Sequence, residues 1–256
     1  MSEHRAAVPN GDRKYGSRPI ALWATPRAVS TAFERMMIER GDHVVLDEPF
    51  SRAYYYGPER SSHRFTDDLP DSGYDDVLAE IRAAGSGSRD AHVFFKDMAY
   101  HLGPYADACP LDEFQNTFLI RDPAWAIPSL ARIWEDFTED ETGYRAMECL
   151  VINREERARR PAVVIDSDEL CAAPERVVKQ WCAEVGIDFM PDALSWKPGM
   201  QPEWKLWRDW YTSTAESRGF RRRATGDAPP EPDSSRVREA IDAARPVYER
   251  LLARTA

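Results

Sequence analysis

Five short apolar runs, separated by stretches of helical period, limit most strongly what this chain can fold into. RPIALWA (18 to 24), HVVLD (43 to 47), AHVFFKD (91 to 97), NTFLIR (116 to 121) and AVVID (162 to 166) are each long enough for a buried strand and short for a buried helix. Ser30 to Arg40, 75 to 82, Pro123 to Trp134, Thr142 to Arg157 and Pro174 to Val185 space their apolar residues as helices do, with GSGS (85 to 88) closing the second. Apolar strands alternating with helices predict an α/β chain of three layers, a parallel central sheet with helices on both faces. Ligands bind such sheets beyond the carboxyl ends of the strands, so chemistry is expected in the loops after Ala24, Asp47, Lys96 and Ile120. The length of 256 residues suits one domain, here 18 to 256. The polar residues 1 to 17 are expected to be a disordered leader. Residues 51 to 72, rich in tyrosine and charge, predict a long loop or lid. GDAPPEPD (226 to 233) predicts a linker to a C-terminal amphipathic helix over 234 to 254.

Charge and composition remove several classes. A net charge of −10 argues against general nucleic-acid binding, which needs a basic face. It leaves room for an anionic small ligand, because local arginines and helix N-termini hold one in an acidic protein. No apolar run approaches the roughly 20 residues of a membrane span, and the polar start lacks the apolar segment of a signal peptide. Cys109, Cys149, Cys171 and Cys182 are scattered with no C-x-x-C pair, which suits reduced thiols in a cytoplasm rather than disulfides or a zinc site. The preference for arginine over lysine is the mark of a GC-rich bacterial genome. The oligomeric state has no signature in the sequence.

The first strand runs into ATPRAVSTAFERM (24 to 36), a strand–loop–helix arrangement that places Ser30 and Thr31 near a helix N-terminus, where free N–H groups and the dipole favour an anion. Arg27 adds a permanent charge with two-pronged donor geometry. The plainer alternative is that Ser30 caps the helix and Arg27 lies on the surface. Further along stand RDPAWAIPS (121 to 129) and GFRRRATGD (219 to 227).

Taken in order, these pieces resemble the sulfotransferases that use 3′-phosphoadenosine-5′-phosphosulfate. That family has a Pro-Lys/Arg-x-Gly-Ser/Thr-Thr loop for the 5′-phosphosulfate, matched by PRAVST (26 to 31). It has an Arg-Asn/Asp-Pro segment with a serine after five more residues for the 3′-phosphate, matched by Arg121 to Ser129. Its late Arg-Lys-Gly-x-x-Gly-Asp loop resembles RRRATGD (221 to 227), and VVIDSDEL (163 to 170) with Pro174 and Glu175 resembles its last core strand and turn. The resemblance runs from Pro19 to Asp227 and implies a P-loop-NTPase-like sulfotransferase fold. It implies a metal-free transfer of a sulfuryl group to a small-molecule hydroxyl or amine. It also implies donor contacts from Arg27, Ala28, Val29, Ser30, Thr31, Arg121, Ser129, Arg221, Arg222 and Arg223. Departures are Val29 and Arg223 where the family has glycine, and Ala32 where an aromatic residue often stacks adenine. Because a β-branched residue resists positive φ, Val29 predicts an ordinary backbone for this loop.

A transfer needs a group that takes the acceptor's proton. Glu48 resembles the catalytic glutamate of a bacterial subset of the family and is the leading candidate, with a capping or solvated role as its alternative. Where many members carry Lys-Thr-His this chain has Lys96, Asp97 and Met98, and His101 lies three residues later. His101 and Asp97 are the other candidate bases, and Lys96 an electrostatic support. Phe50, Tyr54 and Tyr55 follow Glu48 directly and are candidates for touching substrate. Trp204, Trp207 and Trp210 recur every three residues, as one stripe of a helix that either packs on the sheet or walls the acceptor site. Two further readings stay open: an ATP-dependent small-molecule kinase, against which the missing Gly-Lys-Ser/Thr counts, and a catalytically silent nucleotide-binding protein of the same fold.

Overall fold

The computed structural model describes residues 18 to 255, except Glu59, 66 to 71, 86 to 91, Ala108, Arg223 and Thr225. The expected leader, the donor contact from Arg223, most of GSGS and part of the expected lid lie outside the described residues.

All five apolar runs form strands: β1 (Ile20–Ala24), β2 (His43–Asp47), β3 (His92–Met98), β4 (Gln115–Ile120) and β5 (Val163–Asp166). Their order across the sheet is β2-β3-β1-β4-β5, and every pairing is parallel. β1 is therefore central, between β3 and β4, and the crevice beyond its carboxyl end is the switch point where such sheets bind ligands. The helices are α1 (Ser30–Arg40), α2 (Pro49–Tyr56), α3 (Tyr74–Ala84), α4 (Pro123–Ala131), α5 (Tyr144–Ala158), α6 (Ser167–Ala172), α7 (Pro174–Val185), α8 (Thr212–Ala215) and α9 (Ser235–Leu252).

The strands read as unbroken apolar runs because both of their faces are covered. Ala21 and Trp23 of β1, Phe95 of β3 and Phe118 of β4 face a core shared with α3, α4, α5 and α9. Ile20, Leu22, Phe94 and Leu119 face the other core, filled from α1, α7 and the tryptophan-rich segment before α8. The alternation is the period-2 geometry of strands applied to a buried sheet.

Two expectations need correction. Residues 51 to 72 do not start as a loop: Pro49 at the first helical position opens α2, and Ser51, Ala53, Tyr54, Tyr55 and Tyr56 are all buried on it. Beyond α2, Arg64 makes a bidentate bond to Glu141 (2.8 Å to each oxygen) and its guanidinium sits 4.4 Å over the Trp134 ring. The tryptophans do not share one helix either. Trp204 closes a single 3-10 turn (Pro202–Trp204) and Trp210 another (Arg208–Trp210). Spacing of three matches a 3-10 helix as well as an α-helix, and Pro202 with the intervening residues confines it to single turns.

Candidate active site

Beyond the carboxyl end of β1, the chain turns through Pro26 to Val29 into α1. Arg27 (φ 63°) and Val29 (φ 59°, ψ 21°) both adopt the left-handed conformation. This overturns the ordinary backbone expected at Val29. A left-handed residue followed by helical Ser30 turns successive N–H groups to one side, a concavity that binds anions. The strain, on the order of 1–2 kcal/mol per residue, is borne because the loop carbonyls are pinned. Arg121 donates from Nη1 to Arg27 O (2.7 Å), and Ser167 Oγ lies 2.7 Å from both Ala28 O and Ile120 O. Gly143, the N-cap of α5 at φ 77°, presses on the same loop; a Cβ there would sit 2.9 Å from Pro26 Cδ. Val29 is the N-cap of α1 and no side chain caps it, so Ser30 does not play the simple capping role.

Arg27 donates from Nε to Ser129 Oγ on α4 (3.1 Å), which joins the first and second motifs. Burial, and then the like charge of Arg121, push the Arg27 guanidinium below its ordinary value. Two arginines held together in a partly buried cleft have a use for an anion between them. Arg121 and Val29 line both this cleft and a second hollow formed with Ser167, Asp168, Arg221 and Arg222. The two expected anion sites are thus neighbours, joined by Arg121. Ala28 is fully buried and offers backbone only.

Across the cleft stands Glu48, in a left-handed conformation (φ 43°) at the end of β2. Its Oε1 accepts from Lys96 Nζ (2.8 Å) and from the Tyr211 hydroxyl (3.0 Å). Lys96 is fully buried and also lies 2.7 Å from Asp47 Oδ1 and 3.3 Å from Glu34 Oε2. Three carboxylates share one ammonium. Burial alone would raise the Glu48 carboxyl, but the Lys96 charge and the two bonds outweigh it and hold it below its ordinary value. Burial, and then the repulsion of Asp47, push Glu34 well above its own. Burial lifts Asp47 to about 6, with Lys96 pulling back and Glu48 adding to the rise. Burial works against charge on Lys96, yet its three carboxylate neighbours hold it protonated.

His101 lies in the 3-10 turn after β3 and also lines the cleft. Its Nδ1 is 2.7 Å from Asp97 Oδ1, and Nε2 has no hydrogen-bond partner. Asp97 is fully buried, accepts from Phe50 N (2.7 Å) and Met98 N (2.8 Å), and is raised by burial. Asp97 therefore orients His101 and is not itself at the surface of the cleft. Lys96 likewise lies behind the cleft lining, its ammonium on the Glu48 carboxylate.

Of the expected substrate contacts, Tyr55 lines the cleft, while Phe50 is packed on Trp23, Tyr74 and Phe95 in the core. Tyr54 stacks edge-on against Tyr55 and Tyr100 behind the wall. Trp204 is fully buried against Tyr211, whereas Trp207 and Trp210 do line the cleft. Glu34, Asp47, Tyr211, Trp134 and Ser167 escaped the sequence reading. For Glu34 and Asp47 the available signal was charge on a helix face and at a strand end; no charge marks Tyr211, Trp134 or Ser167.

A parallel sheet with a strand–loop–helix anion cradle at its central strand defines a P-loop-like α/β class. Within it, a family model for the sulfotransferase domain matches residues 18–255, and the chain belongs to that family. The sulfotransferase domain of the Synechococcus PCC 7002 olefin synthase superposes with a TM-score of 0.54 at 14% identity, covering 93% of this chain and 98% of that one. The sulfotransferase domain of the curacin biosynthetic pathway gives 0.53 at 12% identity, covering 90% and 98%. In sequence, the chain is 29% identical over 209 residues to branched-chain-amino-acid aminotransferase-like protein 2 of Arabidopsis thaliana. That match covers 78% of this chain and 36% of the plant protein, so the chain spans about a third of its relative's length. Among the described residues no helix is long and apolar enough to cross a membrane.

Proposed function

We propose that the protein transfers the sulfuryl group of 3′-phosphoadenosine-5′-phosphosulfate to a hydroxyl of a small molecule, without a metal ion. The observation that carries this reading is the facing of Arg27 and Arg121, beside the N–H groups of Val29 to Thr31, against Glu48 across one cleft. Charge leaving with the 5′-phosphate is met by Arg27 and the start of α1, which are in place before reaction. Arg121, Arg221, Arg222 and Ser167 border the second hollow, where the 3′-phosphate fits. The nucleotide, when bound, supplies the sulfuryl group and leaves as 3′-phosphoadenosine-5′-phosphate. As the acceptor oxygen bonds to sulfur and the bond from sulfur to the 5′-phosphate breaks, Glu48 takes the hydroxyl proton. Lys96 and Tyr211 fix the carboxylate in position.

His101 supports a second assignment of the base, because Asp97 fixes its Nδ1 side and leaves Nε2 without a partner. Calorimetric titration with 3′-phosphoadenosine-5′-phosphate tests the donor site. Binding is expected in the wild type, weakened at least about tenfold in Arg121→Ala, and binding of ADP-magnesium alone would refute the reading. Transfer of labelled sulfate then separates the bases. Glu48→Gln is expected to lose about 10²–10⁴ in kcat, with product-nucleotide affinity retained. A larger loss in His101→Gln moves the role to the imidazole.

A further inference from the structure

We infer that Tyr248, on the C-terminal helix, is a positioning residue for the nucleotide, setting the anion loop through Asp166 and Ser167. This role rests on the sulfuryl-transfer reading of the site. It adds a residue of α9, a helix that none of the motifs above includes. Neither Tyr248 nor Asp166 borders the cleft or the second hollow. What they reach is Ser167.

The contacts begin where β5 ends. Asp166 caps α6, its Oδ1 accepting from Asp168 N (2.9 Å) and Glu169 N (3.1 Å). Its Oδ2 accepts from the Tyr248 hydroxyl (2.9 Å), and both residues are buried. Burial pushes the Asp166 carboxyl up, while the bonds from Glu169 N and the Tyr248 hydroxyl pull it back. Burial, and then the charge of Asp166, hold the Tyr248 hydroxyl well above its ordinary value, so it stays a donor. Next in sequence is Ser167, whose Oγ lies 2.7 Å from both Ala28 O and Ile120 O. Ala28 stands between the two left-handed residues of the loop, and Ile120 directly precedes Arg121. One serine therefore governs both the direction of the loop N–H groups and the place of the second arginine.

α9 is itself held firmly. Arg250 bonds Glu148 of α5 through Nε (2.6 Å) and Nη2 (3.0 Å), and Thr255 pairs in parallel with Val164 of β5. One turn before Tyr248, Arg245 lies 2.8 Å from Asp122, which caps α4 as Asp166 caps α6. α4 carries Ser129, the partner of Arg27 Nε. Positions three apart on a helix are neighbours, so one face of α9 holds the capping carboxylates after both β4 and β5. The Arg245 contact is a third exposed and correspondingly weak; the buried Tyr248 contact is the stronger hold. A buried carboxylate oxygen needs a partner. Without the hydroxyl, Asp166 must turn to another donor or take up a proton, and the cap that fixes Ser167 loosens. The loop is sensitive to this because its left-handed residues persist only while their surroundings enforce them.

Calorimetric titration with 3′-phosphoadenosine-5′-phosphate, run beside thermal unfolding of each variant, separates positioning from a merely structural role. Tyr248→Phe keeps the ring and removes only the hydroxyl; it is expected to weaken binding roughly three- to tenfold. Val237→Ala removes buried methyl groups from the first turn of the same helix. It should lower the melting temperature at least as much as Tyr248→Phe while leaving affinity within about twofold of the wild type. Asp166→Ala should weaken binding at least as far as Tyr248→Phe does. Asp166→Asn, which can still cap α6 and still bond the phenol, should recover most of that loss. Adding Tyr248→Phe to Asp166→Ala should change nothing further. Unchanged affinity in Tyr248→Phe would overturn the inference, as would losses that multiply in the double variant or that follow the melting temperature in Val237→Ala. Wild-type protein that fails to bind the nucleotide would instead refute the sulfuryl-transfer reading, and the role of Tyr248 with it.

Discussion

Replacing Asp47 with asparagine should make the protein more stable at neutral pH, against the usual expectation for breaking an ion pair. Asp47 lies 2.7 Å from Lys96, but it shares that ammonium with Glu48 and Glu34, and its Oδ2 is buried with no partner. Burial, more than any other cause, lifts its carboxyl to about 6. The sign follows from which state holds the proton more tightly. The folded protein does, so the stability contributed by protonated Asp47 is fully present below the unfolded value of about 3.9 and is lost as pH rises through about 6. A rise of about two units at 1.36 kcal/mol each amounts to roughly 3 kcal/mol, about half of it falling between pH 5 and 7.5. Asparagine mimics the neutral acid at every pH. Asp47→Asn should then exceed the wild type by about 1 kcal/mol at pH 4.5, gain on it further up to about pH 7, and run parallel above that. Urea unfolding at pH 4.5, 5.5, 6.5, 7.5 and 8.5, with a common slope for both proteins, reads the difference directly. A variant less stable than the wild type at pH 7.5, or a difference that does not change with pH, would refute the claim that carboxylates crowd Lys96.

Two further substitutions probe the anion loop. Val29→Gly removes a side chain from a left-handed position (φ 59°), so relief of roughly 1–2 kcal/mol of strain meets a similar loss from added unfolded-state entropy. The melting temperature should shift by no more than a few degrees and nucleotide binding should persist, whereas a loss of more than about 2 kcal/mol would show that Val29 is held by its packing. Gly143→Ala places a Cβ 2.9 Å from Pro26 Cδ at φ 77°, which should cost on the order of 1–3 kcal/mol and weaken binding of 3′-phosphoadenosine-5′-phosphate. Unchanged affinity in that variant would mean that the loop does not depend on α5 for its shape.

The sheet was legible because its strands announce themselves: HVVLD is polar only at its two ends and AVVID only at its last residue, and both became strands with their predicted bounds to within a residue or so. The anion loop was legible as a place but not as a conformation. Local sterics argue against a left-handed valine, and the contacts that overrule them come from Arg121 and Ser167, remote in sequence. The same holds for the base. Glu48 was readable as a residue after a strand, yet its partner Tyr211 lies 163 positions away, and nothing in RDWYTS marks that hydroxyl as the bridge between Asp47 and Glu48. The tyrosines after Glu48 read as a loop because their polarity hides how fully a phenol ring buries when other rings surround it.

The wall and the base also share a mechanical dependence. Trp207 donates from Nε1 to Ser51 Oγ (3.2 Å), Ser51 in turn donates to the backbone carbonyl of Glu48, and Tyr211 follows Trp210 by one residue in sequence. Remodelling the cleft for a differently shaped acceptor would therefore disturb the carboxylate that serves it. In a laboratory selection for new acceptors, gains in fit at Trp207 or Trp210 should arrive with losses in turnover. Compensating changes should then appear at Ser51 and Tyr211, well before any at the arginines of the nucleotide side.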